Sequence, residues 1–505
     1  MSNISPIIKL NEKDDVVIAR IPISKGTCLS NELVVLNNIP EGHKIAIRNI
    51  EQGAQIKRYG QTFGFATKPI LKGEHVHVHN VGVGNFDKDY AFGKDVHTLP
   101  PTDKIDTFLG IRRKNGKIAT RNYIGVMSSV NCSATVAKAV EIYYNKVGLV
   151  NYPNVDGVIA LPQSFGCGIG QDGPSMTNMR RTLSGYATHP NFAGMIIVGL
   201  GCESSQIKDM MNFAHLTENE NLHTLTIQET GGSKKTIDKI ISIIEEMLPI
   251  ANQVQRQETP VSELILALEC GGSDGYSGIS ANPTLGYVAD KIIQQGGTAI
   301  LSETPEIYGA EHLLTRRAVS QQVGEKLIQR IKWWEEHCKQ NKSEINNNPS
   351  VGNKAGGLTT ILEKSLGAIT KGGTSNLVAV YEYAEPVTSK GLVFMDTPGF
   401  DPMAVTGQIA GGANILCFTT GRGSALGSSP TPTLKVASNN FLWNRQQEDM
   451  DMNCGDIIEG NESIAQAGER LYSMLLEFAS GEKSKSEKFG YGSLEFVPWQ
   501  MGAFM

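Results

Sequence analysis

Tyr123-Ile124-Gly125-Val126-Met127-Ser128-Ser129-Val130 is a short, mostly apolar run, and a helical pattern from Ser133 to Val147 follows it at once. The same grammar recurs downstream. Val158 to Phe165 precedes a helix expected over about Ser175 to Gly185. Met195 to Gly199 precedes Ser205 to Phe213, and Lys234 to Leu248 is strongly amphipathic. Short apolar strands alternating with helices predict a parallel sheet covered on both faces. After a polar stretch, Asn252 to Pro260, the grammar repeats. Strands are expected near Leu264, Ala299, Leu377, Leu392 and Ile415, and helices over Leu285 to Gln295, Glu311 to Gln340 and Ser463 to Ser480.

Upstream the pattern differs. Val16 to Ile21, Glu32 to Leu36, His43 to Ile47, Gln55 to Arg58 and His75 to His79 are β-type runs separated by Gly, Pro and Asn turns. The expected organisation is therefore α/β with a small β domain over 1–90, a linker over 91–107, an α/β domain over 108–255 and a Rossmann-like α/β domain over 256–505. A chain of 505 residues is too long for one core. The net charge of −5 gives no reason to expect a nucleic acid or an anionic membrane as partner. No run of eighteen apolar residues occurs, and the first fifteen residues lack the apolar segment of a secretory signal. Eight cysteines in such a chain imply reduced thiols and a cytoplasmic setting.

Four of those cysteines share one placement. Cys132, Cys167, Cys202 and Cys270 each lie at or just past the end of an apolar run, among small residues. Strand ends of an open parallel sheet converge on one crevice, where ligands bind. Thiols delivered there can hold a soft metal or an iron–sulfur cluster. The competing reading is packing, since free cysteine usually behaves as a small buried hydrophobe.

Other patterns carry chemistry. His75, His77 and His79 alternate, which on a strand puts three imidazoles on one face, as a metal or anion site or as an exposed polar face. His43 and Lys44 add an imidazole and a cation from the same small domain. Cys270-Gly271-Gly272-Ser273-Asp274 sets a hydroxyl and a carboxylate after flexible backbone suited to an oxyanion. Lys354 sits in a glycine-rich loop as a substrate cation or base. Arg121, followed by Asn122, and Arg422, between Gly421 and Gly423, are suited to carboxylate recognition. Gly168-Ile169-Gly170-Gln171-Asp172-Gly173 fits the dinucleotide fingerprint literally, which keeps a nicotinamide-dependent oxidoreductase open. However, its strand ends in a polar pair and no clean acidic strand end follows.

Taken together, Gly42 to Lys44, Glu74 to Asn80 (EHVHVHN), Gly116 to Asn122 (GKIATRN), Gly199 to Glu203 (GLGCE), Glu269 to Asp274 (ECGGSD), Asn282-Pro283, Pro349 to Gly357 (PSVGNKAGG) and Phe418 to Gly423 (FTTGRG) resemble the altronate dehydratase/galactarate dehydratase family across nearly the whole chain. The resemblance implies an N-terminal β-clip (SAF-type) domain, iron dependence and dehydration of a sugar acid. A related branch eliminates sulfite from sulfolactate. The histidine-rich strand resembles altronate-type members, which favours D-altronate going to 2-keto-3-deoxy-D-gluconate over galactarate. Glu495 to Gln500 (EFVPWQ) departs from the altronate pattern.

The implied chemistry is abstraction of the C2 proton, loss of the C3 hydroxyl and tautomerisation of the enol. Iron, as Fe²⁺ or a [4Fe–4S] cluster, is expected on Cys132, Cys167, Cys202 and Cys270. His43, Lys44, His77, His79 and Lys354 are the expected catalytic groups. Arg121, Asn122, Ser273, Asp274 and Arg422 are the expected substrate contacts. A homodimer is the expected assembly. A thiol-based iron sensor would have no use for the GNKAGG and TTGRG loops.

Overall fold

The computed structural model describes residues 5–30, 33–84, 88–100, 102 and 104–501. Residues 1–4, which open the segment read for a signal, and Glu32 of the expected second strand lie outside the described residues.

In the N-terminal part, Ile7–Ile8, Val16–Ala19, Lys44–Ala46 and His75–Val76 pair antiparallel in that order. Gln55–Arg58, Gln61–Ala66 and Val81–Gly82 form a second antiparallel sheet. Val16–Ala19 is apolar at every position because both of its faces are covered. Val17 and Ala19 pack with Ile23, Val35, Ile39 and Ile45 inside the small domain. Val16 and Ala46 join a core shared with the C-terminal strands, and Ile18 packs with Tyr276 and Ile279. Each fully buried Val or Ile at this seam contributes roughly 1.5–3 kcal/mol. The small domain is thus docked on the C-terminal domain.

Among its described residues, the segment expected as a linker has no regular structure up to Asp106, but it lies along the C-terminal domain. Asp95 takes two hydrogen bonds from Arg316, and the backbone of His97 exchanges two with the Asn376 side chain. Thr107–Arg112 then pairs antiparallel with Gln257–Pro260, so the chain enters and leaves the middle domain through neighbouring strands.

The middle domain is a four-stranded, all-parallel sheet in the order Gly157–Leu161, Tyr123–Ser128, Phe192–Gly199, Leu222–Thr226. Helices Asn131–Val147 and Ser233–Ala251 cover one face. Pro174–Ala187 covers the other and packs against the C-terminal domain. The strand expected over Val158 to Phe165 ends at Leu161, where Pro162 and Gln163 turn the chain into a glycine-rich loop.

The C-terminal sheet has seven parallel strands in the order Leu377–Tyr381, Gly391–Met395, Thr298–Leu301, Ile265–Cys270, Ile415–Thr420, Thr433–Ala437, Met452–Asn453. Chain order reverses direction at Ile265–Cys270, so the crevice between its carboxyl end and that of Ile415–Thr420 is a topological switch point. The helix expected over Glu311 to Gln340 is interrupted. His312–Thr315 is a single turn, and Gln321–Gln340 starts afresh on the Ser320 side chain, which caps Val323 N–H.

The two sheets present their carboxyl ends on the same side of the molecule. Pro174–Ala187 and Asp401–Ala410 each follow a strand of their own sheet, and they run side by side in the same direction. Gly185 abuts the Ala410 backbone, while nearer the amino ends Tyr383 bridges toward Thr182 and donates to Met403 O. The C-terminal EFVPWQ segment lies along this pair. Thr406 Oγ1 donates to Glu495 O and accepts from Val497 N, Trp499 N donates to Tyr383 Oη, and Met501 N donates to Ser175 Oγ.

Candidate active site

Four backbone loops meet at the switch point, and glycine is what lets them meet. A Cβ at Gly275 or Gly357 would collide with Gly42 O, and one at Gly356 would press on Asp274. Gly275 N donates to Gly356 O at 2.8 Å, and Asn353 Nδ2 donates to Ser273 O at 2.8 Å. The GNKAGG loop, the CGGSD loop, the TGRG loop and the Gly42-His43-Lys44 turn are therefore one assembly.

The structure places each expected residue in this frame differently. Asp274 is buried and saturated. It accepts from Tyr276 N, Ser277 N, Ser277 Oγ, Ser438 Oγ and Asn439 Nδ2, so it anchors the loop. Ser273 Oγ is buried with no hydrogen-bond partner among the described residues. Lys354 is half-buried and Arg422 exposed, and neither side-chain cation has a hydrogen bond or ion pair among the described residues. These are two free cations beside one backbone cradle.

Lys44 differs. Its side chain is fully buried, donates to Gly357 O at 2.5 Å and pairs with Glu363 at 2.8 Å. Arg58 pairs with the same carboxylate at 2.5 Å and donates to Gly275 O. Burial works against the charge of Glu363, but the two cations outweigh it and hold its pKa at about 2. Lys44 shares its one carboxylate with Arg58, so burial wins there and lowers the ammonium to about 8. Lys44 fastens the β-clip to the GNKAGG loop.

The histidines gather, though not by the expected geometry. Only His75 and Val76 are strand, and His77 to Asn80 form a turn, so strand alternation does not align the rings. Asn80 makes that turn, its Oδ1 accepting from His77 N and its Nδ2 donating to His75 O. His43, His75 and His77 come together as a result, while His79 stands exposed at the rim, its ring 5.4 Å from that of His75.

Beneath the CGGSD loop lies a charged network that the sequence reading missed. Lys371 Nζ is 3.0 Å from Cys270 Sγ and 3.3 Å from Glu303 Oε2. Lys364 pairs with Glu306 at 2.5 Å, and Asn348 donates to Glu306 at 2.7 Å. Burial, then the nearby Glu306, raises the Glu303 carboxyl to about 8. Burial lifts the Cys270 thiol to about 11. Asp401, raised to about 6 mainly by burial, sits against Gly271 so closely that a Cβ there would overlap its carboxylate. Burial is visible only in the fold, and Glu303, Glu306, Lys364 and Lys371 carry no motif that would have marked them.

The four expected metal-binding thiols are divided. Cys132, Cys167 and Cys202 are exposed at the carboxyl ends of three adjacent strands of the middle sheet. Their loops are tied by Asn131 N to Phe165 O at 2.8 Å and Ser205 N to Gly166 O at 3.1 Å. Gly166 (φ +108°) and Gly201 (φ +126°) hold left-handed backbone where a Cβ would clash. Cys132 occupies the first turn of Asn131–Val147, whose unpaired N–H groups favour an anionic ligand. Cys270 belongs to the other sheet, buried against Lys371. Among the described residues, no group of three or more ligand atoms within 4.8 Å of one another contains two cysteines. Three exposed thiols on braced loops at adjacent strand ends are a donor set of the chemistry that holds iron, as a single ion or as a cluster.

Arg121 and Asn122 are not in the cleft. Arg121 is buried and its donors are engaged by Glu487, Thr120 O, Phe478 O and Glu482 O. Asn122 donates to Asn154 O and Ala251 O. Arg121 locks the junction between the middle and C-terminal domains, and Asn122 ties the start of its strand to the Asn154 loop and the end of Ser233–Ala251 within the middle domain, which corrects their expected role as substrate contacts.

A β-clip docked over the switch point of a parallel sheet, with free cations beside a glycine cradle, defines an α/β enzyme for a small anionic substrate. Family models match along the chain: the altronate/galactarate dehydratase SAF domain over 5–84, the D-galactarate dehydratase/altronate hydrolase second domain over 110–252, and the D-galactarate/altronate dehydratase C-terminal domain over 261–504. The chain belongs to the altronate/galactarate dehydratase family and is a hydro-lyase for sugar acids. It is 34% identical to galactarate dehydratase (L-threo-forming) of Escherichia coli K12, covering 96% of this chain and 94% of that one. It is 33% identical to altronate dehydratase of Bacillus subtilis 168, covering 96% and 97%. It is 32% identical to the (2R)-sulfolactate sulfo-lyase subunit beta of Chromohalobacter salexigens, covering 77% and 96%.

Proposed function

We propose that this enzyme dehydrates D-altronate to 2-keto-3-deoxy-D-gluconate with iron held by Cys132, Cys167 and Cys202. The observation that carries the substrate class is the pair of free cations, Lys354 and Arg422, beside the unpartnered Ser273 hydroxyl. A substrate carboxylate bound there gains charge-assisted hydrogen bonds without displacing an existing partner. The GNKAGG loop that carries Lys354 also meets a group of imidazoles, His43, His75 and His77, which suits the hydroxyls of a chain with one carboxylate. His79, exposed at the rim, is the imidazole positioned to exchange protons with solvent and substrate. Bound iron supplies Lewis acidity toward a hydroxyl.

The test is anaerobic purification, assay of iron and sulfide, and turnover of D-altronate, galactarate and (2R)-sulfolactate compared by kcat/KM. A 2-keto-3-deoxy acid formed fastest from D-altronate by iron- and sulfide-containing protein is the expected result. Faster turnover of galactarate or sulfolactate overturns the substrate, and full turnover without iron overturns the cofactor.

A further inference from the structure

We propose that His43, His75 and His77 form a second metal site, an imidazole site for one divalent transition-metal ion, separate from the thiols. Their ligand atoms all lie within 4.8 Å of one another, and His43 Nδ1 is 3.0 Å from His75 Nε2. The rings of His75 and His77 stack at 5.3 Å, with that of His43 5.1 Å and 4.7 Å away.

A bare histidine cluster could be three solvated side chains, but the surroundings here argue otherwise. His43 is buried, and its Nε2 faces Ala355 O at 3.3 Å. Donating a proton to that carbonyl fixes the tautomer and leaves the Nδ1 lone pair directed at His75, the outer-shell arrangement that orients a ligating imidazole. Nδ1 of His77 is buried without a hydrogen-bond partner among the described residues. A buried lone pair without a partner is costly unless something occupies it. The nearest cation, Lys44, is already bound to Glu363 and Gly357 O, so it is fastened away from the three nitrogens.

The position is also functional. Ala355, whose carbonyl orients His43, follows Lys354 directly, so the triad is tied to the same GNKAGG loop that carries the free cation. Three protein donors leave coordination positions open, and the shell of such an ion is completed by water or by substrate hydroxyls. Imidazole donors suit Fe²⁺, Co²⁺, Ni²⁺ or Zn²⁺ and disfavour Mg²⁺ or Ca²⁺. His79 is not part of the triad and stays free for proton transfer. The metal site itself does not depend on the proposed substrate, because metal binding is read without turnover.

Co²⁺ is the probe. The full-length chain with C132S, C167S and C202S together is titrated with Co²⁺ and followed by visible absorbance and bound-metal analysis. One Co²⁺ per chain, with ligand-field bands and no thiolate-to-metal charge transfer, is the expected result. Adding H75A or H77A to that chain removes the ion. Unchanged Co²⁺ binding in either histidine variant overturns the site, as does a charge-transfer band, which would assign the ion to a remaining thiol. If those variants fail to fold, the unsubstituted enzyme gives the answer through diethyl pyrocarbonate modification read peptide by peptide. Zn²⁺ slows modification of His75 and His77 and leaves exposed His97 unaffected, whereas equal rates with and without Zn²⁺ overturn the proposal. Failure of the D-altronate assay alone leaves this result standing.

Discussion

The two sheets of this enzyme end in cysteine at their carboxyl edges, and the same local sequence has become two different environments. At the middle sheet, Cys132, Cys167 and Cys202 are exposed on loops braced by backbone hydrogen bonds. At the C-terminal sheet, Cys270 is buried, its thiol shifted up to about 11, with Lys371, Glu303 and Glu306 around it. Ligation needs an accessible thiolate. Burial protects Cys270 as a neutral thiol within a charge network. Identical placement at a strand end therefore does not determine chemistry, because what decides it is the layer packed above that end. The middle edge is open, while the C-terminal edge is roofed by the GNKAGG loop and the β-clip.

The largest expected effect tests that division directly. C132S, C167S and C202S each lower iron content and reduce kcat by about 10³-fold or more, in keeping with loss of a Lewis-acid group that stabilises developing charge. C270S retains iron and sulfide. Iron and sulfide analysis beside single-turnover assays reads both. Loss of iron in C270S would join the two edges into one centre and break the comparison.

Much of this architecture is legible in sequence, because period and turn chemistry report local structure. The alternation of apolar runs and helical patterns gives both parallel sheets, and the glycine-rich loops mark where backbones approach closely. What is not legible depends on distant partners. Arg121 and Asn122 follow a tempting pattern, yet Glu487, 366 residues from Arg121, and the end of a distant helix determine their role. His43 and His75 are 32 residues apart and meet because strands Lys44–Ala46 and His75–Val76 are paired. Lys371 meets Cys270 across 101 residues by the fold alone.

The next effect is on stability. At the C-terminal edge Lys371 is fully buried between Cys270 and Glu303. Above about pH 8, where Glu303 is ionised, removing Lys371 leaves that buried carboxylate uncompensated, at a cost of about 3–5 kcal/mol. At about pH 9 and on iron-free protein, Lys371→Met is expected to lower the urea-unfolding free energy by that much, whereas C202S, on the open edge, changes it by less than about 1 kcal/mol. Equal effects of the two substitutions would show that the edges do not differ in burial.

The remaining effect is gradual, a slope with pH, and its sign follows from the direction of each shift. Glu303 is raised to about 8, so between its unfolded value and about pH 8 the native state holds a proton that the unfolded state has released. Its contribution is complete below the unfolded pKa and is lost as pH rises through about 8. Asp401, raised to about 6, acts in the same direction over a narrower range. Glu363, held at about 2, acts oppositely, and its contribution drains only as pH falls from its unfolded value through about 2. Unfolding free energy measured from about pH 5 to pH 8 should therefore fall with pH by up to ~1.4 kcal/mol per unit for one proton. Glu303→Gln carries the neutral form at every pH and flattens that part of the slope. An unchanged slope in Glu303→Gln would mean that the carboxylate is already ionised across the range, with Lys371 and Lys364 sufficient to hold it, and the C-terminal edge would then be a charged network like the Lys44–Glu363–Arg58 fastening beneath the β-clip rather than a proton-holding one.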